Sequence, residues 1–142
     1  MKKGIVFLCV VAMLLSLFGC KKNYTHGVYE VTLRSFEISN YSVGNEWVIT
    51  YTCDGRTIAS GEQWIVPLDT VKTVMIDAAV TETDQYPDVG SGSLIVVLKE
   101  GFETSKIITV AENKGRYKGN KANWKITCKV KLKDRQSQND FS

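Results

Sequence analysis

The chain has 142 residues, of which 44% are hydrophobic and 23% charged, with a formal net charge of +3. That is enough chain for one domain with its own core, and too weakly basic to suggest a nucleic-acid binder. With a single histidine, His26 near the start, and no Gly-x-Ser-x-Gly, metal-ligand helix or Gly-rich phosphate loop, catalysis is the least favoured class and the chain reads as a non-enzyme.

Residues 1–20 read MKKGIVFLCVVAMLLSLFGC. Lys2 and Lys3 precede an apolar run from Gly4 to Phe18, which is shorter than the ~20 residues a membrane-spanning helix needs. A secretory signal is the better reading. The run ends in Leu17-Phe18-Gly19-Cys20, which resembles a bacterial lipobox. The resemblance implies a signal peptide over 1–19, cleavage before Cys20, and acylation of that cysteine. The mature protein would then be extracytoplasmic and lipid-anchored to the bacterial cell membrane. Two or three acyl chains, at ~0.8 kcal/mol per buried CH₂, would hold it there without a spanning segment. The other reading is an ordinary signal or an uncleaved anchor with Cys20 a plain thiol. A lipidated tether is expected over 20–27, a folded domain over 28–135 and a flexible tail over 136–142.

The body alternates with period two. Tyr29, Val31 and Leu33 share a face, and the apolar phase then shifts to Phe36 and Ile38, which predicts a bulge near Ser35. After the loop NYSVGN comes a strand from Trp47 to Cys53. Asp54-Gly55 is a hairpin turn signal leading into RTIAS. QWIVPL reads as a short strand, with Pro67 at its end or on an edge. Val74 to Val80 forms a longer strand. Ser93 to Leu98, almost wholly apolar, reads as a central one. SKIITVAE and Trp124 to Leu132 complete about eight strands. No amphipathic helix or internal repeat interrupts them. The expected fold is all-β: an antiparallel β-sandwich of Greek-key type.

Cys9 lies in the signal, which leaves Cys53 and Cys128 in an exported chain where disulfides persist. Alternation places each on the apolar face of its strand, so a Cys53–Cys128 bridge is expected, with two buried thiols as the alternative. Two separated cysteines and one histidine are too few ligands for zinc.

The stretch TETDQYPDVGSGS concentrates three carboxylates, Glu82, Asp84 and Asp88. Val80 faces inward, so Glu82 and Asp84 continue on that side as the strand runs out. This spacing, followed by SLIVVL, resembles the third calcium-binding loop of the calcium- and phospholipid-binding domains of protein kinase C and synaptotagmin. The resemblance implies an eight-stranded sandwich with Ca²⁺ held by Glu82, Asp84 and Asp88 against lipid headgroups. The chemistry suits a hard cation that takes six to eight oxygen ligands. That family also draws aspartates from an earlier loop, and the counterpart here, SNYSVGNE, contains none. The competing reading, an acidic β-turn shaped by Pro87 and the glycines, is the favoured one.

Charge is unevenly spread. Lys21 to Asn113 holds 7 basic and 13 acidic residues, whereas Lys114 to Arg135 holds 9 basic and 1 acidic. Lys125, Lys129 and Lys131 share one outward face, and Lys133 extends the row. Such a stripe fits an anionic lipid, a cell-wall polymer or an acidic protein partner. It also fits an edge strand guarded by lysines. The functional expectation is a membrane-anchored, non-catalytic binding domain. The alternative is a calcium-dependent membrane or glycan binder using residues 82–88.

Overall fold

The computed structural model describes residues 23–141; the signal stretch and Cys20 lie outside them. Eight strands follow in order: β1 (Tyr24–Asn40), β2 (Trp47–Cys53), β3 (Arg56–Ile58), β4 (Glu62–Pro67), β5 (Thr73–Glu82), β6 (Asp88–Val97), β7 (Glu103–Ala111) and β8 (Lys121–Ser137), then a 3₁₀ turn (Gln138–Phe141). They form two four-stranded antiparallel sheets, β4-β1-β8-β7 and β3-β2-β5-β6. The expected sandwich is the observed fold. The neighbours β1/β8, β1/β4 and β2/β5 are non-consecutive, as Greek-key connections require.

Alternation decides which residues enter the core. In β5, Val74, Ile76, Ala78 and Val80 are buried while Met75 and Asp77 are not. In β8, Ala122, Trp124, Ile126, Cys128 and Val130 face inward and the lysines between them face out. The two inner rows meet in one cluster with Val31, Leu33, Leu94, Val96, Ile108 and Val110. Each such side chain contributes roughly 1.5–3 kcal/mol by leaving water.

The Asp54-Gly55 hairpin forms as expected, with φ of 51° and 74° at the two residues, as a type I′ turn requires. Five expectations need correction, the last being the Cys53–Cys128 bridge. Ser35 is not bulged: pairing runs unbroken from Leu33↔Cys128 to Glu37↔Trp124, and the irregularities fall at Tyr24/His26, Val28/Tyr29 and Glu37/Ser39. With the register unbroken, Ser35 keeps the inward phase of Val31 and Leu33 and is half-buried, and this leaves Phe36 on the outside beside Lys125. Ser93–Leu98 is not central. It belongs to β6, an edge strand, where Leu94 and Val96 point inward and Ile95 points to solvent. Gly90 and Gly92 are strand residues rather than turn residues, because β6 begins at Asp88. The domain also extends beyond 28–135 at both ends. β1 starts at Tyr24 and so takes in His26, and β8 pairs as far as Tyr24↔Ser137. Ser137 N–H and Oγ–H both donate to Asp140, which fastens the turn that was expected as loose tail.

Cys53 and Cys128 are buried as expected but are free thiols, so the expected bridge is not formed. Alternation fixes the face a side chain takes, not its neighbour across the core. Cys53 ends β2 opposite Ile76, while Cys128 lies inside the other sheet between Leu33 and Thr104. Burial pushes the Cys128 thiol up to about 11, and Cys53 is raised by burial and then by Asp54. Thiolate is therefore scarce at neutral pH, and neither thiol should react in the native protein. Unfolding without reductant should give alkyl labels on both peptides; no label on either would restore the bridge.

Candidate functional site

Pairing registers sort the connections to two ends of the sandwich. The β1–β2, β5–β6 and β7–β8 connections share one end, called here the loop end. The β2–β3, β4–β5 and β6–β7 connections share the other end with both chain termini.

At the loop end, Glu82 and Asp88 face each other as register partners across the β5–β6 hairpin, and both are buried, at 2% and 4% exposure. Asp84 lies outside, on the turn. Each carboxylate has protein partners. Glu82 Oε2 accepts from Asp84 N–H at 3.1 Å, and Asp84 Oδ1 accepts from Tyr86 N–H at 2.7 Å. Asp88 Oδ1 accepts from both the backbone and side-chain amides of Asn113, at 3.2 and 2.7 Å, which ties this hairpin to the β7–β8 loop. Lys114 of that loop lies 5.4 Å from the Tyr86 ring centroid.

The loop expected to supply further ligands does reach this end. Asn40 orders it, accepting from Val43 N–H and donating to the Gly44 carbonyl, and Val43 is buried beneath it. Thr83 N–H donates to the Glu46 carbonyl at 2.8 Å. Gly44, at φ +138°, lies so close over Glu82 that a Cβ there would overlap its carboxyl. The loop therefore covers Glu82 with backbone and adds no carboxylate beside it. Burial raises the Glu82 pKa, the Asp84 amide opposes it, and the nearby Asp84 and Glu112 charges add to the rise. Glu112 is raised by desolvation, then by Asp88 and Asp84. Among the described residues, no group of three histidine, cysteine, aspartate or glutamate side chains is placed to hold a metal ion. Behind this cluster Trp47, the register partner of Glu82, packs on Trp124 with ring centroids 5.3 Å apart.

The second region is the outer face of the β4-β1-β8-β7 sheet. Lys125, Lys129 and Lys131 project there, as alternation predicts. Lys129 pairs with Glu103 at 2.7 Å. Lys133, beside the β1–β8 irregularity, pairs with Glu30 at 3.5 Å. Lys125 and Lys131 form no ion pair among the described residues. Lys125 lies between Phe36 and Ile107 in the ladder, and these are 49% and 60% exposed. Arg34 follows Phe36 on the same face. A groove of about 340 Å³ runs between Arg34, Phe36, Glu103, Ser105, Lys125 and Lys129. The apolar half of this face was missed in the sequence, where Phe36 was assigned to the core. The unbroken spacing of Arg34, Phe36 and Ile38 carried the signal.

The face is not an edge. β8 runs between β1 and β7, with hydrogen-bonded neighbours on both sides, so its lysines do not guard an open strand.

Compared with known protein families, curated proteins and solved structures, the chain matches none of them. The fold is thus established by its own strand pairing, and the likeness of residues 82–88 to a calcium loop rests on those residues alone.

Proposed function

We propose that the chain is a lipid-anchored extracytoplasmic protein whose sandwich is a non-catalytic binding module, with an anionic partner docking on the outer face of the β4-β1-β8-β7 sheet. The observation that supports this is the interior position of β8. Lysines on an interior strand have no protective task at an edge, yet here they stand among exposed Phe36 and Ile107. Arg34, Lys125 and Lys131 supply charge, the apolar side chains supply area to bury, and a flat face suits an extended acidic polymer or protein segment.

Retention of the protein on a polyanion such as dextran sulfate tests the location. Lys125→Glu with Lys131→Glu should weaken binding about tenfold, since exposed ion pairs contribute ~0.2–1 kcal/mol each and reversal also adds repulsion. Lys114→Glu with Lys118→Glu changes net charge equally at the loop end and should weaken it far less. Equal losses would mean the face has no special role.

A calcium-dependent membrane or glycan binder using Glu82, Asp84 and Asp88 is the second reading. The meeting of the 41–46 and 83–87 loops supports it, and the burial of Glu82 and Asp88 against protein donors opposes it. Millimolar calcium should leave retention unchanged. Calcium-dependent retention that Asp84→Asn abolishes would favour the second reading instead.

A further inference from the structure

The anchor and the fold together orient the domain. Between Cys20 and the first strand residue, Tyr24, lie only Lys21, Lys22 and Asn23. Four residue steps at ~3.3–3.6 Å span at most about 14 Å. Tyr24 belongs to the end opposite the loops, pairing with Ser137 at the far end of β8. The 17 residues of β1 then run the length of the sandwich, roughly 55 Å at ~3.3 Å per residue. A lipid on Cys20 therefore keeps the terminal end beside the bilayer, and the loop end comes to the membrane only if the sandwich lies on its side.

That end has the side chains for an interface. Val71, at the tip of the β4–β5 connection, is 77% exposed, and Leu68 and Tyr24 are also exposed. Tyr24 and Leu68 line one groove of about 440 Å³ with His26 and Pro67. Lys72 follows Val71, and Lys133 and Arg135 lie beside Tyr24. Asp69 and Asp134 are there too, so apolar and aromatic contact, with lysines reaching to headgroups, is the stronger part of the fit.

We infer that the domain rests on its own anchoring bilayer through Tyr24, Leu68 and Val71, which turns the β8 lysine face sideways and holds Glu82, Asp84 and Asp88 about 50 Å from that membrane. The inference depends on the lipid anchor of the proposed function. It also separates the two readings of that function. In this upright orientation the 82–88 loop stays off the membrane that holds the protein, whereas the lysine face stays open to a partner alongside.

The test uses the full chain, isolated with its membrane anchor and reconstituted in phosphatidylethanolamine–phosphatidylglycerol vesicles that carry a headgroup quencher. Val71→Cys and Tyr86→Cys, both at exposed loop positions, each take a fluorophore. Fluorescence should be largely lost at position 71 and retained at position 86. Equal quenching, or quenching at 86 alone, overturns the inference. Ten Gly/Ser residues inserted after Asn23 separate tether from contact: persisting quenching at 71 supports the docking surface, and its loss overturns it. The mass of the Cys20 peptide distinguishes the two levels. An acylated Cys20 with no selective quenching defeats this inference alone, whereas an unmodified Cys20 defeats the anchor and with it the inference.

Discussion

Gly90→Ala should destabilise the domain by about 3 kcal/mol or more, whereas Gly92→Ala, two residues later in β6, should change stability by less than about 1 kcal/mol. Both glycines lie where the edge strand β6 of one sheet turns against the edge strand β7 of the other. At Gly90 a Cβ would overlap the Thr109 carbonyl oxygen and lie 2.9 Å from Ile108 Cγ2. The obstacle is backbone, which cannot rotate away, so the two sheets would have to part at this corner. At Gly92 the nearest atoms are side-chain carbons of Ile108 and Lys106 at 3.4 Å, an ordinary contact. Urea unfolding of both variants measures the difference. Equal midpoints would show that the corner is not closely packed at Gly90.

The second large effect concerns pH. Glu82→Gln should raise the melting temperature at neutral pH by roughly 3–6 °C, the shift that about 1 kcal/mol produces in a domain of this size. The cause is the raised Glu82 pKa, which burial dominates. Folded Glu82 holds its proton at pH values where the unfolded chain, with an ordinary carboxyl near ~4.3, has released it. Stability from this group is therefore fully present below the unfolded value and lost as pH rises through the raised folded value. Glutamine imitates the protonated carboxyl: its amide can donate to Asp84 while its oxygen accepts from the Asp84 amide. The variant should keep at neutral pH what the wild type has only in mild acid. Glu112 is raised in the same direction, so its slope has the same sign. Melting temperatures from pH 4 to 8 test this. A variant less stable than wild type at neutral pH would mean that the Glu82 charge is favourable, as it would be beside a bound cation.

Local pattern made the strands legible because alternation and the Asp54-Gly55 turn are properties of neighbouring residues. It could not show which strands become neighbours. β6 is the more apolar strand, yet it is the edge and the lysine-rich β8 is interior, and only the non-local β1–β8 pairing decides that. The missing bulge at Ser35 has the same origin, since the unbroken β1–β8 register, not the local apolar phase, sets which way Ser35 and Phe36 face. At the loop end, alternation placed Glu82 inward correctly. That Gly44 covers it and Asn113 holds Asp88 is long-range information that the residues of the 82–88 loop do not carry.

Much of the functional account depends on the short connection between Cys20 and Tyr24. Were the chain unanchored, the lysine face could still bind a polyanion, but nothing would orient the sandwich or remove the acidic loop from the membrane. The most direct measurement is the mass of the mature N-terminal peptide from the membrane fraction of cells expressing the full chain. The expected mature chain begins at Cys20 and carries acyl groups on it. A chain that still begins at Met1, or one whose Cys20 is an unmodified thiol, would contradict it.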